Sequence, residues 1–320
     1  MKRLLSALAG AVLASTIAQA QEVTIRLSSP NPTSHPYTVG AQHFADAVAK
    51  ATNGTVRVQI FPDNQLGSPQ AVVQGVQLGT IDMGIVASAH LAPYNEQVAA
   101  LDLPFLFDSR QAAYDKLDGK LGELLNVGLA PKNIVVLTYF DGGFRNIFSK
   151  TGPIKTPGDL SGMKMRVINS PVTIDSMAAM GGTPVPLAWS ELYPGLQQGV
   201  VVGGSTGITQ IWSQKFFEVA KHVAMTKTVF TAGPLIISKR KFDMLTPEQQ
   251  EAVMTAGREA ATYQRDLAQT GEKELTKKLE QGGVTFNDVD LAAFRAAVQP
   301  VWDKYSDSFD EAVRNEITQK

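Results

Sequence analysis

An α/β fold in two lobes around a hinged cleft is what this sequence predicts, and three observations carry it. Strand-like and helix-like segments alternate along the chain, which implies largely parallel sheets. The alternation breaks at Gly142-Gly143 and then starts again. Beyond it, a strand-rich segment at 223–238 is long enough to cross back to the first lobe, and a helix with no glycine pair or further proline until Gly282 is long enough to brace both.

Val23, Ile25 and Leu27 alternate with polar residues, making a strand that ends in the loop Ser28-Ser-Pro-Asn-Pro-Thr-Ser-His-Pro36. Tyr37, Ala41, Phe44 and Val48 recur at helical spacing, Asn53-Gly54 stops that helix, and Val56, Val58 and Ile60 resume a strand. Ser68-Pro69 opens a helix that Gly79 ends, and an apolar strand follows at 81–87. Ser109 caps a helix carrying Ala113, Leu117, Leu121 and Leu124, before a buried strand at 134–139. Past the glycine pair come a strand ending near Arg166, a helix from Ser170 to Met180 and a strand at 200–202. Thr246-Pro-Glu-Gln249 combines an N-cap, a first-turn proline and a capping-box glutamine. The helix it opens would span about 50 Å, more than one lobe's width. Its expected buried stripe is Val253, Ala256, Ala260, Tyr263 and Leu267, and a last helical stretch gathers Phe294, Val298 and Trp302. The corresponding division assigns 21–142 plus 232–271 to the first lobe and 143–231 plus 272–320 to the second.

Residues 1–20 have a cationic start, a short apolar run and an Ala-Gln-Ala end, the pattern of a secretory signal peptide. Removing Lys2 and Arg3 from the 29 basic residues leaves 27 against 30 acidic ones, a net charge of −3. That balance offers no general attraction to nucleic acid or anionic membranes. An exported chain without cysteine relies on its core instead of disulfides, which suits a bacterial periplasm.

Chemistry centres on Arg166. In 162–170, Met163, Met165 and Val167 alternate with Lys164 and Arg166, and Ser170-Pro171 starts a helix. The residues therefore read as a strand–turn–helix junction with a cation at the strand's carboxyl end, where open α/β sheets bind ligands. A guanidinium there can grip a carboxylate through two parallel hydrogen bonds, and the plainer alternative is an edge-strand arginine in a surface ion pair. Arg145 follows the glycine pair, so two arginines near one crevice point to an anion site, and Trp189 can supply an apolar wall or belong to the core. Gly203-Gly-Ser-Thr-Gly207 matches the serine-hydrolase elbow, but only Glu218 and His222 follow it and no oxyanion motif is present. The scattered histidines His35, His43, His90 and His222 give no metal pattern, and no P-loop or dinucleotide fingerprint occurs, so no cofactor is expected.

Several ordered motifs together resemble the solute-binding proteins of TRAP transporters, the DctP type. They are Phe61-Pro-Asp-Asn-Gln-Leu-Gly67, Leu103-Pro-Phe-Leu-Phe107, Gly143-Phe-Arg145, Lys155-Thr-Pro-Gly-Asp-Leu-Ser-Gly-Met-Lys-Met-Arg-Val167 and Trp189-Ser-Glu-Leu-Tyr193. The resemblance covers the whole mature chain and implies a two-lobed periplasmic-binding-protein-like fold with crossing strands and a shared long helix. It also implies that Arg166 binds a ligand carboxylate, that Arg145 assists, and that Asn169 and Trp189 take part. Many members carry Val-Asp-Gly-Gln-Glu-Asn where this chain has Val201-Val-Gly-Gly-Ser-Thr206, so Thr206 stands in place of a ligand-binding asparagine. Ser88 and His35 complete the candidate ligand-binding set. Ala87 stands where sialic-acid binders place a glutamate, so that ligand class fits less well. The expected ligand is a small organic acid, with uronic or other sugar acids second. A monomeric periplasmic receptor that closes over its ligand and docks on the membrane subunits is the leading expectation. A sensor for a receptor kinase and a secreted serine hydrolase are the alternatives.

Overall fold

The computed structural model describes residues 22–319, so the expected signal segment lies outside the described residues. These contain eleven strands. Four come before the lobe change: β1 (Val23–Ser28), β2 (Val56–Phe61), β3 (Met83–Ile85) and β4 (Ile134–Phe144). The next five are β5 (Asn146–Ser149), β6 (Lys164–Val167), β7 (Thr183–Pro186), β8 (Gly203–Thr206) and β9 (His222–Ala224). Last come β10 (Phe230–Ser238) and β11 (Thr285–Asn287). One sheet has the order β2-β1-β3-β10-β4 and the other β11-β9-β5-β8-β6-β7.

Each sheet has one strand running against its neighbours, and that strand is where the chain arrives from the other sheet. β4 leaves the first sheet and, with Arg145 alone between, becomes β5, which is antiparallel to both β8 and β9. β9 leaves the second sheet and the chain returns as β10, antiparallel to β3 and β4. The two crossings are tied together, since the Arg145 N–H donates to the Val229 carbonyl at 2.8 Å and the Thr228 N–H to the Arg145 carbonyl at 3.0 Å.

Local chemistry explains most boundaries. Ser68 and Ser109 cap helices Pro69–Leu78 and Arg110–Asp118 by accepting from backbone N–H groups, and Gly79 ends the first in the left-handed conformation that glycine favours. Gly119 divides the helix expected after Ser109 into two, Arg110–Asp118 and Lys120–Val127. Gly142-Gly143 does not end a strand, because β10 pairs with β4 beyond it as far as Phe144. Gly142 is needed for another reason: a Cβ there would run into the Tyr37 hydroxyl and Thr231.

Helix Pro247–Gln281 opens with the expected capping box on Thr246. Val253, Ala256 and Ala260 pack in the core of the first sheet with Leu137 and Phe140, and Leu279 joins Phe148, Ile208 and Phe216 in the core of the second. Its buried row differs from the expected one after Ala260. Tyr263 is exposed and stacks on His43, Leu267 is half-buried, and the positions buried in this stretch are Ala261, Gln264, Arg265 and Ala268. Polar groups are tolerated there because they are paired. Gln264 accepts from the Asp141 N–H at 2.7 Å and donates to its carbonyl at 2.9 Å, while Arg265 donates to the Tyr139 carbonyl and pairs with Asp118. The final helix, Glu311–Thr318, packs against Lys120–Val127, on the side of the first sheet.

Candidate functional site

Parallel strands of both sheets bring their carboxyl ends to one cavity. Pro30 and Asn31 follow β1, Ala87 and His90 follow β3, Arg166 and Ile168 end and follow β6, Trp189 follows β7, and Thr206 ends β8. Arg145 comes from the first crossing and Thr231 from the start of β10, with Tyr37 and Gln210 from helices. The cavity holds about 490 Å³ of empty space, its mouth included.

β6 sits between β7 and β8, so both of its edges are paired, and Arg166 is 1% exposed. Its Nε–H donates to the Leu187 carbonyl at 2.9 Å, and its guanidinium carbon lies 5.4 Å from the centre of the Trp189 ring. No carboxylate pairs with it among the described residues, which leaves the terminal nitrogens for a ligand. Burial, and then the neighbouring Arg145, lower its pKa to about 9. Arg145 is held in place by Ser205, with Nε–H to the hydroxyl at 3.1 Å and Nη2–H to the carbonyl at 2.6 Å. His90 is kept neutral by burial and by both arginines, its pKa lowered to about 3.

Three further polar groups on the cavity wall are buried and unpartnered: the Tyr37 hydroxyl, Gln210 Oε1 and Thr231 Oγ1. A buried polar group without a partner is costly, so three converging on one space describe a place where a ligand or water completes their bonding. Segments of the two sheets also meet at the rim, where Gln214 donates to Asn31 Oδ1 at 3.1 Å.

The profile of the bacterial extracellular solute-binding proteins, family 7 (DctP), matches residues 27–308. The chain belongs to this family. It is 36% identical over 261 residues to the 2,3-diketo-L-gulonate-binding periplasmic protein YiaO of Escherichia coli (strain K12), a match spanning 81% of this chain and 80% of that protein. It is 30% identical over 315 residues to the C4-dicarboxylate-binding periplasmic protein DctP of Rhodobacter capsulatus, spanning 96% and 94%. Among solved structures it resembles a TRAP periplasmic solute-binding protein from Sulfitobacter sp. NAS-14.1 with bound β-D-galacturonate. That likeness has a TM-score of 0.89 and 33% identity, and covers 92% of this chain and 99% of that one. The two-sheet α/β architecture is thus that of the two-lobed solute-binding proteins.

Of the residues expected at the site of this family 7 protein, Arg166, Arg145, Trp189 and Thr206 line the one cavity. Asn169 does not. Arg166 and Ile168 line the cavity, whereas Asn169, in the bend after β6, is exposed and is not part of its wall. Ser88 is buried at the start of a 3₁₀ turn, and its neighbours Ala87 and His90 reach the cavity in its place. His35 is buried beside Tyr37 as the N-cap of helix Pro36–Ala51, its Nδ1 accepting the Tyr37 N–H at 3.0 Å. It lies behind the cavity wall.

The strand expected at 200–202 is instead Gly203–Thr206, so the elbow-like motif is itself a strand. A Cβ on Gly203 would collide with the Phe148 carbonyl on the neighbouring strand, which accounts for glycine there. The would-be triad is dispersed. Ser205 accepts from Arg145, His222 pairs with Thr285 at 2.9 Å, and Glu218 accepts from the Tyr193 hydroxyl at 2.7 Å. Tyr37, His90, Gln210 and Thr231 were not legible as site residues, because each stands alone in its segment and only the fold gathers them.

Proposed function

We propose that this protein is the periplasmic receptor of a TRAP transporter. It takes an organic acid by its carboxylate, closes over it and presents it to the membrane subunits without covalent chemistry. The observation that carries the reading is Arg166, a buried guanidinium with no acidic partner among the described residues. Burying a charge without compensation costs several kcal/mol, and a carboxylate in a bidentate grip returns much of that cost. Trp189 walls the carbon skeleton, and Tyr37, Gln210 and Thr231 suit hydroxyl groups along it. Oxygen-rich acids fit this pattern, as the names of the E. coli and Sulfitobacter relatives suggest for those proteins. The lobes that close follow the expected division, except that the final helix, Glu311–Thr318, goes with the first lobe; they pivot at the paired crossings around Arg145 and Thr228. The signal-like amino terminus supports a periplasmic location.

A thermal-shift and calorimetric screen of organic and sugar acids tests this, because a ligand that binds the native state raises the unfolding temperature. Acids such as D-galacturonate should bind near micromolar, about −8 kcal/mol, and their methyl esters should not. Equal binding of acid and ester, or labelling of Ser205 by a fluorophosphonate, would overturn the proposal.

A further inference from the structure

A second, smaller chamber lies behind the cleft cavity and shares Arg145 and Ile168 with it. Among its walls are Asp102, Ser176, Met177 and Thr228. Three carboxylates are buried among the described residues, and two have direct cationic partners: Asp82 with Arg26 and Lys241, and Asp141 with Arg110. Asp102 has none. Its one side-chain hydrogen bond comes from the Ser170 hydroxyl at 3.5 Å, across from the second sheet's side, and the cation facing it is Arg145.

Asp102 and the ligand therefore face the same cation from opposite sides. We propose that Asp102 is the internal counter-ion of Arg145, so that the site carries one net positive charge and selects acids with a single carboxylate over dicarboxylates. This rests on the carboxylate reading above. Arg145 and Arg166 together offer two charges, Asp102 balances one, and a single ligand carboxylate balances the other. A second ligand carboxylate would leave an excess negative charge in a water-poor site, and that is unfavourable unless a proton is taken up. Asp102 is placed to take it. Burial raises its pKa to about 7, with Arg145 and Ser170 opposing the rise. The chamber wall contributes no other charged group, since Thr173, Ser176 and Met177 on one side and Thr228 and Val229 on the other are neutral. The other titratable side chain facing both arginines is His90, on the 3₁₀ turn Ser88–His90 beside the residue 96–102 segment.

The test compares each acid with its diacid counterpart, D-galacturonate with galactarate and D-erythronate with meso-tartrate, by calorimetry in buffers of different ionisation enthalpy. Wild type should prefer the monoacid, take up about one proton with the diacid at about pH 8 and none with the monoacid. Its diacid affinity should fall as pH rises from about 6 to about 8. Asp102→Asn should raise the diacid-to-monoacid affinity ratio at least ~10-fold and abolish the proton uptake. A wild type that binds both acids equally, or diacid binding without proton uptake, overturns the proposal even if the variant fails to fold. Uptake that persists in Asp102→Asn assigns the proton to His90 and also overturns it. If none of the four acids binds, the carboxylate reading falls and this inference falls with it.

Discussion

The Tyr37 hydroxyl is buried against Gly142 and Gly233 with no partner, on the wall of the cavity. Leaving a hydroxyl unsatisfied costs about 1–3 kcal/mol, and a ligand that bonds to it recovers that cost. Tyr37→Phe should therefore make the empty protein equally or more stable, by up to about 1 kcal/mol, while weakening ligand binding about 5- to 10-fold. Thermal unfolding and calorimetry on one sample check both halves, and unchanged affinity would remove Tyr37 from the site. At this scale the sequence was informative where one residue carries its own context. The place of Arg166 near a strand's carboxyl end was legible because strand alternation ends at a Ser-Pro helix start. Asn169 is close to Arg166 in sequence, but it falls in the bend after β6, where the chain has left the strand and the side chain is exposed, not in the cavity wall.

Long, strongly marked elements were read well, and those whose identity depends on neighbours were not. Helix Pro247–Gln281 announces itself with a capping box and a run with no proline after Pro247, its glycines Gly257 and Gly271 standing singly. β8 was displaced onto Val200 to Val202 because valines outrank glycines in strand preference. Its glycines are there because Phe148 and Met165 leave no room for side chains at Gly203. Gln264 was missed as a buried residue since its burial depends on Asp141 in another segment. Gln264→Leu keeps the volume but removes both partners from the Asp141 backbone. It should destabilise the protein by about 2–4 kcal/mol in denaturant unfolding, and a loss well under 1 kcal/mol would show that the helix is held to β4 by packing alone.

For the whole molecule, two buried histidines tie stability to pH. His35 and His90 both have pKa values lowered to about 3, by burial in each case and in His90 also by Arg166 and Arg145. Below the ordinary value of 6.5 the unfolded chain binds protons that the folded one refuses, so stability is lost as pH falls from there toward 3. Asp102, with its pKa raised, opposes this between about 4 and 7. His90→Asn should flatten the acid limb, gaining up to about 2 kcal/mol on wild type between pH 7 and about pH 5. An acid limb identical to that of wild type would mean His90 is hydrated in the folded state.

The two-lobed plan was legible from alternation and from the crossing segment. The convergence of five strand ends on one cavity was not, because it depends on how the sheets face each other. That convergence makes Arg166 the point on which the account stands. The most direct measurement is calorimetry of the best-binding acid against wild type and Arg166→Ala. Removing one partner of a buried charge pair costs about 2 to 5 kcal/mol, so the account predicts binding weakened at least ~30-fold. The empty variant should unfold at a temperature no lower than wild type, since it no longer buries an uncompensated charge. Undiminished affinity in Arg166→Ala would contradict the account.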